Sequence, residues 1–91
     1  KVIVDDIQFI ESLKDYIHIH LSTTKIMVKQ QLGKTMEYLP SYFIRVHRSY
    51  IVNTKTITAY TAEDIEIGTL EIPIGGIYKD FVFAYLESNS K

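Results

Sequence analysis

Cysteine is absent from the 91 residues, which excludes both a disulfide framework and a thiolate zinc site. A reducing compartment is therefore permitted, and a cytoplasmic location is expected. Long apolar runs are also missing. None approaches the ~20 residues that a membrane-spanning helix needs, and no charged leader followed by an apolar stretch opens the chain. No membrane partner is expected. The third absence is an excess of basic charge, because the formal net charge is −1. Domains that bind nucleic acid usually carry a basic footprint, so total charge does not announce one here. The chain opens on Lys1 rather than Met, and it is expected to be a piece of a longer protein.

What is present is ordinary globular material: 46% hydrophobic and 23% charged residues, enough for one core in one domain. The charge is unevenly placed. Residues 14–55 carry seven Lys and Arg (Lys14, Lys25, Lys29, Lys34, Arg45, Arg48 and Lys55) against Asp15 and Glu37, a local balance of +5. Residues 56–91 carry two Lys against six acids, a balance of −4, and residues 1–13 stand at −2. A neutral chain arranged this way can still build a positive patch.

The hydrophobic pattern is mainly that of short strands. Val2, Val4, Ile7 and Phe9 are spaced as two short strands around an Asp5-Asp6 turn. Residues 16–21 alternate with period two, as a half-buried strand requires. Ile17, Ile19 and Leu21 share one face; Tyr16, His18 and His20 share the other. A turn at 22–24 leads to a returning arm at 25–29. The period then changes, since Leu32, Met36 and Leu39 lie on one helical face, weakened by Gly33 and ended by Pro40. Residues 43–47 form a strand, with 50–52 as a short continuation and Asn53 suited to a turn. Residues 56–60 are β-prone, 62–64 form a turn, and 65–67 pair with 70–72 around Gly68-Thr69. Tyr78, Phe81, Val82, Tyr85 and Leu86 mark the apolar face of a closing helix. The fold class is mainly β with two short helices, as one domain over residues 1–87 and a flexible tail at 88–91.

Little catalytic chemistry is visible. His18 and His20 are two residues apart on one strand face and are geometrically able to share a metal, with His47 as a conceivable third. Nothing in the sequence marks that third ligand, so they are read as exposed strand histidines, with no metal and no cofactor. No nucleophile elbow surrounds any Ser, and Gly75-Gly76 lacks the Lys-Ser/Thr of a phosphate-binding loop. No catalytic residue is assigned and no enzyme is expected.

The stretch Phe43-Ile44-Arg45-Val46-His47-Arg48-Ser49-Tyr50-Ile51-Val52-Asn53 resembles the signature F-x-R-V-H-R-S-Y-I-V-N of the LytTR DNA-binding domain family. Asp5-Asp6-Ile7-Gln8-Phe9-Ile10-Glu11-Ser12 resembles the family's opening D-D-I-x-x-I-E-S. The helix ending at Leu39-Pro40 and the Ile72-Pro73-Ile74 segment occur in matching order, so the resemblance spans residues 2–86. It implies stacked short antiparallel sheets whose loops enter successive major grooves of double-stranded DNA and bend it. It further implies the output domain of a bacterial two-component response regulator, with a sensor kinase upstream and a homodimer formed through another domain.

Carried over by position, the resemblance makes Arg48 a base reader, followed by Ser49. Lys14 and Asp15, leading into Tyr16, make the second contact. Arg45 and His47 complete the DNA-binding set: Arg45 stays open between a phosphate contact and a surface ion pair, and His47 between fixing the loop, the preferred reading, and reading a base. The third contact falls in the loop before the last helix, where many members carry Ser and Arg. Here that loop is Gly75-Gly76-Ile77 without Arg, so the contact is lost, moved to Tyr78 and Lys79, or made by glycine backbone. That departure and the acidic C-terminal segment favour an alternative: a protein-interaction or dimerisation module that keeps the fold with weakened DNA contacts.

Overall fold

The structure, a computed structural model, describes residues 2–89. Its strands are β1 (Ile7–Leu13), β2 (Tyr16–Leu21), β3 (Lys25–Lys29), β4 (Phe43–His47), β5 (Tyr50–Asn53), β6 (Ala59–Tyr60), β7 (Asp64–Ile67) and β8 (Leu70–Pro73). Helix α1 (Leu32–Met36) precedes β4 and helix α2 (Lys79–Ser88) closes the chain. All pairings are antiparallel. One sheet has five strands in the order β3-β2-β1-β5-β4, the other three in the order β6-β7-β8.

The central strands of the larger sheet are apolar on both faces, because each face has its own cover. Phe9, Ile44, Val46 and Val52 meet Ile65, Ile67 and Ile72 of the smaller sheet, with Ile74 and with Val82 and Leu86 of α2. On the opposite face Ile7, Ile10, Ile17, Phe43 and Ile51 pack under Leu32 of α1. Adjacent residues therefore go to different cores, Phe9 and Ile10 in β1, Ile51 and Val52 in β5. Each fully buried side chain of this size contributes about 1.5–3 kcal/mol. Strand β3 is the edge strand and its residues are mostly exposed, Met27 and Val28 among them, whereas β2 beside it alternates apolar and polar residues.

Buried Asn53 is satisfied on both sides: its Nδ2 donates to the Ile7 carbonyl (2.9 Å) and its Oδ1 accepts from the Lys55 amide (2.9 Å). A polar group in this position stabilises only when fully paired. It ties β5 to the start of β1.

Several local expectations are corrected. Residues 4–6 form a 3-10 turn rather than part of a strand, and β1 begins only at Ile7. Residues 50–52 do not continue the 43–47 strand. The chain reverses at Arg48-Ser49, so β4 and β5 form a hairpin. Residues 54–56 are 3-10 helix, leaving only Ala59 and Tyr60 in the β-prone segment as strand. Helix α1 ends at Met36, short of Pro40, and continues as turns to Leu39. In α2 the buried stripe runs through Val82 and Leu86, while Phe81 is exposed and Phe83 packs inward instead. Of the expected tail, Ser88 is still helical and the Asn89 amide bonds to the Tyr85 carbonyl; positions 90 and 91 lie outside the described residues.

Candidate nucleic-acid interface

β1 runs antiparallel to both β2 and β5, so the end of β1 and the starts of β2 and β5 share one rim of the sheet. The two-residue turns Lys14-Asp15 and Arg48-Ser49 therefore stand side by side. The Ser12 amide donates to the Ser49 carbonyl (2.9 Å) and joins them. Lys29, the last residue of β3, pairs with Tyr16 and adds a third cation to the same rim. Alternation within each strand is local, but this grouping follows from antiparallel register alone.

Both turns are held in unusual ways. Lys14 sits at φ 55, in the left-handed region that an L side chain enters at a cost of roughly 1–2 kcal/mol. No glycine or asparagine relieves it, and the Lys14 side chain is exposed. The Arg48-Ser49 turn also lacks glycine. Its neighbours brace it: Arg45 Nε donates to the His47 carbonyl (3.0 Å), Arg45 Nη2 donates to the Arg48 carbonyl (2.6 Å), and His47 Nδ1 accepts from the Ser49 amide (3.0 Å). Arg45 is thus neither an ion pair nor a free cation; it staples the turn. His47 also packs edge-on against Tyr50, with ring centroids 5.4 Å apart. Arg48 itself is exposed, and its guanidinium has no carboxylate partner among the described residues.

Next to the turns lies a depression of about 430 Å³ lined by Lys14, Asp15, Lys29, Gln30, Gln31 and Lys34. Lys29 and Lys34 were not singled out from the sequence. The basic count over residues 14–55 included them, but only the fold brings Lys29 to the rim and Lys34 beside it. Lys34 also lies 4.0 Å from Glu37, a weak exposed pair.

The loop before α2 reaches the same end of β4. The Gly75 amide donates to the Val46 carbonyl (2.8 Å), so it is not free for a phosphate. A Cβ on Gly75 would lie 3.0 Å from the Tyr78 ring and 3.4 Å from His47 Cα. Glycine here serves close packing of the loop on β4. Tyr78 is half-buried against the core between the sheets, and Lys79 is engaged by Glu63 at 2.9 Å. Ile77 stands out at 89% exposure.

The histidines differ from expectation. His18 and His20 are half-buried, not exposed, and the His20 ring stacks on Phe9 with centroids 4.1 Å apart. His47 does not join them; Glu11 of β1 does, with Oε1 3.2 Å from His20 Nε2. Among the described residues no helix is long and apolar enough to cross a membrane.

Comparison with known proteins agrees with this architecture. The profile of the LytTr DNA-binding domain matches residues 1–74, and the chain belongs to that family, which is one of DNA-binding domains and not of enzymes. Among solved structures it is similar to the LytTr DNA-binding domain of a protein described as a methyl-accepting/DNA response regulator from Bacillus cereus. That match has a TM-score of 0.76 at 20% identity and covers 94% of this chain and 83% of the other. It shows the mainly β fold with two helices. No curated protein matches the chain.

Proposed function

We propose that this domain reads duplex DNA by inserting the rim turns into the major groove, as the output domain of a bacterial transcription regulator. The reading is carried by one observation: Arg48 projects from a braced two-residue turn, its guanidinium without a partner among the described residues, beside Lys14 and Lys29. The arginine fork matches the N7 and O6 acceptors of guanine. A turn held by three side-chain bonds has little freedom left to lose on binding. Lys14, Lys29 and the Ser49 hydroxyl suit phosphates, which position the protein without reading sequence. Tyr16, exposed at the start of β2, flanks the same surface, and Asp15 tempers it. In the third loop, Ile77 is shaped for a thymine methyl, whereas Lys79 must leave Glu63 before it can meet a phosphate. Shape and deformability of the duplex add to specificity where loops on one rim span more than one groove. The regulator would act as a homodimer under a sensor kinase, both through parts other than this rim.

Fluorescence anisotropy with a selected duplex and a scrambled one tests the proposal. Arg48→Ala is expected to weaken the selected complex by ~1–3 kcal/mol and the scrambled complex less. Equal losses on both would reassign Arg48 to a phosphate. No binding to any duplex, with self-association in the ultracentrifuge, would favour the interaction-module alternative.

A further inference from the structure

On the face of β1 and β2 that also carries Phe9, three side chains with metal-ligating chemistry come together. Glu11 and His18 are direct cross-strand partners, and His20 lies two residues beyond His18 on the same face. One ligating atom from each of Glu11, His18 and His20 lies within 4.8 Å of the other two. We propose that these residues form a binding site for a zinc-type divalent transition ion, with a fourth position open to water.

Four features support the assignment. The donor set, two imidazoles and one carboxylate, suits zinc and the later first-row ions and not magnesium or calcium, which take oxygen ligands. The 3.2 Å between His20 Nε2 and Glu11 Oε1 is close to the ~3.3 Å edge of a tetrahedron with bonds of 2.0–2.1 Å. His18 Nδ1 is buried without a hydrogen-bond partner, the one such side-chain atom among the described residues. A desolvated ring nitrogen left unpaired is costly, and a ligand that satisfied it would remove that cost. Finally, the surroundings orient the ligands. Phe9 stacks flat on the His20 ring, 8° from parallel, and the Tyr50 hydroxyl donates to the second Glu11 oxygen at 3.4 Å. Partners of this kind set ligand direction in metal sites.

The site spans the hairpin whose turn carries Lys14. An ion there fixes β1 to β2 near the DNA-facing rim, yet its binding is read without DNA. Tag-free protein, stripped with chelator, is titrated with zinc chloride by calorimetry and followed by thermal melting. One equivalent is expected to bind, raising Tm by roughly 10 °C at zinc a hundredfold above Kd. His18→Ala, His20→Ala and Glu11→Gln should each weaken binding at least tenfold, with magnesium inert throughout. Should a variant fail to fold in chelator, imidazole NMR of the unaltered chain decides: zinc must shift His18 and His20 ahead of His47. The absence of a zinc-dependent Tm change, unaltered affinity in both histidine variants, or shifts confined to His47 would overturn the proposal.

Discussion

Arg45 shows how a charged side chain in a DNA-binding signature can act on the protein instead of the ligand. Its guanidinium spans the His47 and Arg48 carbonyls, a fork geometry that a single ammonium cannot reproduce. Arg45→Lys is therefore expected to cost about 1–2 kcal/mol in urea unfolding, with a smaller loss of DNA affinity than Arg48→Ala. Unchanged stability with a large affinity loss would make Arg45 a direct phosphate contact. The tyrosines give a second residue-scale prediction. The Tyr50 phenol is raised above its ordinary value by burial, then by the Glu11 charge and the hydrogen bond to Glu11. Tyr42 is raised by its hydrogen bond to Asp5, then by burial and the Asp5 charge. A raised folded pKa means that the stabilisation is whole below the unfolded value of ~10 and is lost as pH climbs through the folded one. Unfolding midpoints should fall in that alkaline window, and less steeply in Tyr50→Phe. An identical alkaline profile in that variant would place the loss elsewhere.

At the scale of elements, the loop before α2 tests what its paired glycines do. Gly75 lies against His47 backbone and the Tyr78 ring, whereas a Cβ on Gly76 meets nothing within 4 Å. Gly75→Ala is expected to destabilise by about 1–3 kcal/mol, as overpacking does, and to disturb the end of β4 beside Arg48. Gly76→Ala should stay within about 0.5 kcal/mol of the parent. Calorimetric melting of the two variants checks the contrast, and equal effects would mean that the loop is not clamped to β4. The same clamp holds the arginine-free loop at the end of β4 beside Arg48, because its first residue is bonded to Val46.

For the molecule as a whole, the question is how a chain of net charge −1 meets a polyanion. The fold gathers Lys14, Lys29 and Arg48 on one rim, while Lys55 and Lys79 face Asp5 and Glu63. Lys14→Ala and Lys29→Ala should each flatten the slope of log K against log salt by ~0.9, and Lys79→Ala by less. Anisotropy between 50 and 200 mM salt reads these slopes, and equal slopes for all three would refute the segregated rim. Much of this was legible beforehand. Period-two alternation marked β2, turn signals marked β3 and the β7–β8 pair, the 3.6-residue period marked both helices, and the signature around Arg48 placed the family. The β4–β5 reversal was not, because Arg48-Ser49 carries no Gly, Pro, Asn or Asp and is closed by Arg45 and His47 side chains. Nor was the Glu11, His18 and His20 cluster, since its third member lies across a strand pair. Hydrophobic periodicity and turn chemistry act between near neighbours, so the sequence by itself determined the elements and most of their order. Antiparallel register and burial act between distant segments, so only the tertiary structure decided which cations share a rim and which side chains meet.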